Sequence, residues 1–146
     1  MLAKMSIQTD ADLSAALRAR GQRVTSQRLV IHRALRELER HVTADELLSA
    51  VSGRLPGVSL PTVYATLDLL EDLGAARRIN AGGGALLYEA GGDEHQHFVC
   101  ERCGRVEDLH TGLNARAALQ AARNRGFEPH RADLVVSGLC ADCASR

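Results

Sequence analysis

Between residues 88 and 108 the chain crowds two histidines, two cysteines and six carboxylates, residue types that bind metal ions. Cys100 and Cys103 form one Cys-x-x-Cys pair, and Cys140 and Cys143 form a second one 36 residues further on. Each such turn presents two sulfurs to one side, and two turns together supply the four ligands of a tetrahedral zinc site. A closed four-thiolate shell leaves no position for water or substrate, so the zinc it implies is structural. Zn(2+) bound in this way adds ~10–16 kcal/mol of apparent stability near neutral pH, enough to hold a domain that cannot hold itself.

His95 and His97 stand two apart in a run that reads as a strand, so their rings point to the same face. Glu89, Asp93, Glu94 and Asp108 lie close by in sequence or in the expected hairpin partner. A mixed imidazole and carboxylate set suits a divalent ion such as Fe, Mn, Zn or Co. His32, His110 and His130 are expected to be non-ligands, or at most neighbours that support the ligands. The sequence has no nucleophile elbow and no phosphate-cradling glycine loop, and it lacks the His-x-Glu with Pro-Cys-x-x-Cys pattern of zinc deaminases. The chain is therefore expected not to be an enzyme and to have no small-molecule substrate.

The elements that must position these residues fall into two compositions. In the first, Thr9 or Asp10 caps a helix carrying Leu13 and Leu17, and Gly21 ends it. Thr25 caps a second helix, about 26–38, with Leu29, Val30, Ala34, Leu35 and Leu38 on one stripe. Thr43 and Glu46 make a capping box for a third, with Leu47, Leu48 and Val51 inward. Ser59 caps a fourth, which tolerates Pro61 in its first turn, runs to Leu73 with Val63, Leu67 and Leu70 inward, and stops at Gly74. Two extended runs around residues 81–84 then read as a hairpin. Helix, turn, helix and hairpin in this order make a winged helix-turn-helix. The helix at 60–73 would be its recognition helix, offering Ser59, Pro61, Thr62 and Tyr64 to base edges. Arg77 and Arg78, at the start of the wing, suit phosphate contacts. The segment from Leu17 to Arg40, with Arg23 and Arg28, holds seven arginines against two glutamates. That is a basic patch of the kind that binds double-stranded DNA, in a chain whose net charge is zero.

Gly91 and Gly92 read as a hinge. Beyond it come a strand at 95–100, a strand at 106–109, a helix at 113–125 with Ala117, Leu119 and Ala122, and a strand at 133–137. This β-β-α-β piece is too small to bury both faces of a sheet, and pairing with a second copy solves that, so a homodimer is expected. The fold class is α+β. Residues 1–88 form a winged-helix DNA-binding domain, 89–94 a hinge, and 95–146 a small α/β dimerisation domain with the four-cysteine zinc site. Residues 1–9 read as a frayed start. No secretory signal and no run of about 18 apolar residues is visible, which points to a cytoplasmic protein with reduced thiols and no membrane span.

Several segments resemble those of the ferric uptake regulator (Fur) family: residues 23–28 (RVTSQR), 41–47 (HVTADEL), 61–64 (PTVY) and, most specifically, 95–104 (HQHFVCERCG). The similarity extends over about residues 10–143. The resemblance implies a metal-responsive DNA-binding repressor, with a winged-helix domain, a hinge and a zinc-containing dimerisation domain. Carried over by position, it also implies a regulatory site of His41, Glu89, His95, His97 and Asp108. Of these, His41 comes from the resemblance alone. A metal bound from both sides of the hinge would fix the orientation of two winged helices so that a dimer meets two half-sites of its operator. Fe(2+) is the first expectation for this metal, peroxide sensing through bound iron or manganese the second, and Zn(2+) or Mn(2+) uptake control the third.

The chain also departs from the family pattern. Ala65 follows the recognition-helix tyrosine, where the family often has a polar or basic residue. Glu94, Gln96, Ala115 and Ala132 occupy the positions of an additional metal site found in some members. The zinc-sensing branch commonly places a cysteine before the histidine cluster, whereas none lies between Tyr88 and His97 here, and Asp93 stands where the nickel branch has histidine. Glu89 stands where peroxide sensors favour aspartate.

Overall fold

Each of the first four helices begins at a hydroxyl that accepts a backbone N–H: Thr9 for α1 (Asp10–Ala19), Thr25 for α2 (Ser26–Leu38), Thr43 for α3 (Ala44–Val51) and Ser59 for α4 (Leu60–Leu73). Thr9 and Thr43 complete capping boxes with Asp12 and Glu46. A computed structural model of the chain describes residues 6–81, 84 and 86–146. Gly82, Gly83 and Ala85, at the expected tip of the hairpin, and residues 1–5 of the expected frayed start lie outside the described residues.

The chain forms two compact units, one running through Asn80 and taking in Gly84–Asp93, the other holding Glu94–Arg146. In the first, Leu13, Leu17, Leu47, Val51, Val63, Leu67 and Leu70 are fully buried, as the helical spacing predicts. On α2 the buried stripe is Ile31, Ala34 and Leu35, with Leu29, Val30 and Leu38 only partly covered. Ile31 was missing from the expected stripe, whose centre is therefore shifted. Ile7 also joins this core, so the part of the start that is described is not frayed.

Strands β1 (Ala76–Asn80) and β2 (Leu86–Ala90) pair antiparallel, with Arg77 opposite Glu89 and Arg78 opposite Tyr88. A third run extends the hairpin by one bridge, in which Val42 and Tyr88 exchange both backbone hydrogen bonds, at 2.9 and 2.7 Å. Glu39, in the left-handed region at φ 49°, ends α2 and turns the chain toward that bridge.

Gly91 is not a loose pivot. Its N–H donates to the Ala75 carbonyl at 2.8 Å, and a Cβ built on it would collide with the Gly74 carbonyl oxygen. Glycine is needed here for close backbone approach, whereas Gly92 faces open space.

The second unit is a three-stranded sheet in the order β4-β3-β5, from β3 (Gln96–Cys100), β4 (Val106–Leu109) and β5 (Val135–Gly138). β4 is antiparallel to β3 and β5 is parallel to it, the parallel return running through α5 (Arg116–Asn124). A short helix, α6 (Ala141–Ala144), ends the chain. Helix α5 starts three residues later than its apolar residues suggest, and none of its side chains is buried. Ala117, Leu119 and Ala122 therefore do not pack into a core of this unit.

His32 is fully buried on α2. Burial, with the Arg36 cation adding to it, pushes its pKa down to about 4, against the opposing pull of Asp10 and Asp12. The unfolded chain, whose histidines titrate near 6.5, takes up this proton first. Stability is therefore complete above about pH 6.5 and falls as the pH drops toward 4, by up to about 3 kcal/mol. Both tyrosines, Tyr64 and Tyr88, lie in the first unit, so their fluorescence follows its unfolding. Denaturant titrations at pH 7.5 and pH 4.5 should show a smaller acid loss in His32→Leu than in the wild type; equal losses would contradict the assignment.

Candidate functional site

The β3–β5 register brings the two cysteine pairs together. Cys100 ends β3 opposite Gly138, two residues before Cys140, which caps α6. Gly104, with φ 74°, closes the first knuckle and donates to the Cys100 carbonyl at 2.9 Å. All four Sγ atoms lie within 4.8 Å of one another, and no disulfide joins them. Cys103 Sγ and Cys140 Sγ are 3.8 Å apart. Zn–S bonds of about 2.3 Å in a tetrahedron give S···S edges of about 3.8 Å, so the cage fits zinc.

The thiols are also electrostatically prepared for a cation. The N–H groups of Cys103 and Cys140 point at Cys100 Sγ from 3.5 and 3.4 Å and draw its pKa down to about 6. Bonding to Cys140, burial and the other sulfurs push Cys143 up to about 12. Four adjacent sulfurs resist sharing four negative charges, and a bound dication removes that conflict. Arg102 donates to the Cys143 carbonyl at 2.8 Å and Arg105 pairs with Asp142 at 3.0 Å, tying the two knuckles together from outside the cage.

The other expected ligands gather in two groups, one in each unit. In the first unit the Val42–Tyr88 bridge sets residue 41 against residue 89, and His41 Nε2 lies 3.0 Å from Glu89 Oε2. In the second, Asp108 stands opposite His97 in the β3–β4 register. Its Oδ1 is 3.4 Å from His95 Nε2 and 3.5 Å from His97 Nε2, and the two rings meet edge to face with centroids 4.7 Å apart. Ligand atoms each about 2.1 Å from one ion lie about 3.0–3.5 Å apart, so both groups have the size a divalent cation requires. The backbone carbonyl of Asp93 accepts from Arg77, and Glu94 accepts from the Ala115 N–H at the start of α5.

On α4, Pro61 and Tyr64 are exposed, Tyr64 at 38%, while Val63, Leu67 and Leu70 are buried. The Ser59 and Thr62 hydroxyls are 3.0 Å apart and serve the helix cap. Arg23 is exposed, while Arg28 donates to the Arg23 carbonyl. The basic segment is less available than its sequence suggests. Arg33 and Arg36 both pair with Asp10, and Arg40 pairs with Glu46. In the wing, Arg78 is exposed near Glu71, but Arg77 turns inward onto the Gly92 and Asp93 carbonyls.

Sequence reasoning missed three features of this region. Gln96, buried between the two histidines on the opposite face of β3, holds residues 111–113 through the Thr111 hydroxyl and the Leu113 carbonyl. The His110 ring lies 5.5 Å from that of His95. Arg77 is engaged with Glu89. A count of residues opposite one another in the two hairpins would have suggested the last two.

The sequence matches the model of the ferric uptake regulator family over residues 19–137. The peroxide operon regulator of Bacillus subtilis is 31% identical over 131 residues, covering 89% of this chain and 90% of that one. The ferric uptake regulation protein 1 of Mycolicibacterium fortuitum is 35% identical over 125 residues, covering 85% of this chain and 77% of that one. Among solved structures, the ferric uptake regulator of Pseudomonas aeruginosa with manganese superposes with a TM-score of 0.68 at 30% identity, covering 88% of this chain and 97% of that one.

Elemental analysis of the purified chain should find one zinc that a mild chelator at neutral pH does not remove. Its removal by a thiol-modifying reagent, or Cys143→Ser, should abolish the structure of the second unit, seen as loss of strand signal and of slow amide exchange at 96–100. A second unit that stays folded without metal would contradict a structural role.

Proposed function

The chain belongs to the ferric uptake regulator family, and we propose that it is a homodimeric repressor whose affinity for its DNA operator rises when a divalent metal binds His41, Glu89, His95, His97 and Asp108. The observation that carries this reading is the pair of ligand groups, one built by each unit: His41 with Glu89, and Asp108 with His95 and His97. The bound metal supplies a multidentate electrostatic link, and the chain's residues do the rest. Residues 1–88 carry the DNA-binding surface, 89–94 connect, and 95–146 dimerise around the zinc cage.

A ligand shifts a conformational equilibrium only by its differential affinity for the two states. A metal that needs ligands from both groups has such a difference built in, since a state that separates the groups offers it only part of its shell. DNA contact falls to α4 through Ser59, Pro61, Thr62 and Tyr64, with Arg23, Arg28 and Arg78 on phosphates. Dimerisation is supported by the apolar surface of the second unit, where Phe127, Leu134, Val136 and Leu139 are exposed and β5 is a sheet edge. No helix among the described residues is long and apolar enough to cross a membrane, and a cytoplasmic location is part of the proposal.

Fe(2+) is the metal we propose first, with Mn(2+) and Zn(2+) as alternatives. The similarity to the Bacillus subtilis peroxide operon regulator favours one second reading, in which bound iron or manganese makes the repressor sensitive to peroxide.

Binding to a duplex enriched from a random pool in the presence of Fe(II) should strengthen about 5–150-fold on adding metal anaerobically. His97→Ala should bind equally with and without metal, at the weaker level. Metal-independent binding by the wild type would sink the proposal. The peroxide reading adds one expectation: the anaerobic Fe(II) protein should gain an oxygen atom on His41 or His95 after peroxide, by mass spectrometry, and release DNA. Unmodified histidines with DNA still bound would reject that branch.

A further inference from the structure

Glu89 sits between two partners on neighbouring strands. His41 Nε2 approaches its Oε2 at 3.0 Å, and on the other side Arg77, its cross-strand partner on β1, approaches its Oε1 at 3.7 Å through Nη1. The same guanidinium has a second task. Its Nη2 donates to the carbonyls of Gly92 and Asp93, both at 2.7 Å, so the fork is held by the backbone at the end of the first unit. The Arg77 side chain is 25% exposed and that of Glu89 12%, so solvent screens the pair only in part.

We propose that Arg77 is a positioning residue for the regulatory metal rather than a DNA-phosphate contact, and that it sets the metal affinity by holding Glu89 through one carboxylate oxygen. The inference rests on the proposed role of Glu89 as a ligand. At 3.7 Å the contact with Glu89 is charge attraction rather than a hydrogen bond, and a guanidinium fixed by two backbone carbonyls cannot follow the carboxylate as a flexible side chain would. Of the two carboxylate oxygens, Oε2 is the one beside His41 and is the one that would turn to a metal. The standing positive charge on Oε1 withdraws electron density from the carboxylate and repels a dication, so the site binds metal less tightly than its ligands alone would. The cost falls on every divalent ion and places the response at a higher free-metal concentration. Because the grip on Gly92 and Asp93 comes from the same side chain, the path of the backbone leaving β2 is fixed together with the ligand.

The test uses the full-length chain with its zinc retained, and Mn(II) as probe, the free aquo ion being counted by electron paramagnetic resonance. Arg77→Gln removes the charge and the fork; Arg77→Lys keeps the charge and loses the fork. Arg77→Gln should bind Mn(II) about five-fold more tightly, equivalent to about 1 kcal/mol, and Arg77→Lys should stay within about two-fold of the wild type. Both should exchange the amides of residues 91–95 faster than the wild type in the metal-free state. An Arg77→Gln affinity equal to or weaker than wild type overturns the proposal, as does an Arg77→Lys that tightens as much as Arg77→Gln. His97→Ala separates the two levels of inference. If it binds Mn(II) as the wild type does, the regulatory site itself is wrongly assigned. If it loses Mn(II) while Arg77→Gln is unchanged, only the role of Arg77 fails.

Discussion

Antiparallel register decides which side chains meet, and every candidate ligand outside the cysteine cage depends on it. In the first unit the central strand β2 places Glu89 between Arg77 on one side and His41 on the other. In the second, the β3–β4 pairing sets Asp108 against His97. Side chains along a strand alternate with period two, so a slip of one residue would carry Glu89 or Asp108 to the wrong face. The register is held by neighbours that do no chemistry. Tyr88, beside Glu89, is fully buried in the helical core and bridges Val42. Gln96 and Val99, in the histidine strand itself, are buried as well. The ligands are placed by packing rather than by attraction to one another.

The two units meet the small-domain problem in different ways. The first packs a wide aliphatic core, from Ile7 to Tyr88, around four helices and a hairpin. The second has very little of this. Its buried cluster is Cys100, Cys140 and Cys143, with Phe98 against it, so the metal ligands are themselves the core. A helix with no buried residue and a set of exposed apolar side chains complete it. On the proposed reading, coordination chemistry and a partner surface supply the free energy that a larger apolar core would otherwise give.

This difference also governs how much the sequence reveals. The caps at Thr9, Thr25, Thr43 and Ser59 and the stops at Gly21 and Gly74 are local features, and each stands where side-chain chemistry puts it. The cysteine spacing is equally local, and the four sulfurs converge. Long-range facts were harder to read. Burial of Ile7 depends on helices packing over it, and the buried stripe of α2 is centred on Ile31 because tertiary contacts choose among several apolar candidates. The late start of α5 goes with Gln96 and Glu94 holding residues 111–115 in a loop. Gly91 read as a flexible pair with Gly92, whereas it meets the Gly74 backbone, which no local pattern announces. The basic segment misled for the same reason: an excess of arginine in sequence says nothing of the Asp10 that pairs with two of them from another helix.

That pairing bears on how a metal could control DNA binding. Affinity for duplex DNA grows with the number of phosphates a protein neutralises. With Arg33, Arg36 and Arg40 in internal ion pairs and Arg77 turned to the backbone, one winged helix has few arginines left for phosphates. A single unit of this kind would, on the proposed reading, bind DNA weakly on electrostatics alone. On the proposed reading, occupancy then depends on two units engaging together, and the gain from joining them is large only when their geometry suits both half-sites. A more basic domain would hold DNA in either arrangement and would blunt the metal's effect. Weak intrinsic attraction thus makes a coupling of 1–3 kcal/mol sufficient to decide between bound and released DNA.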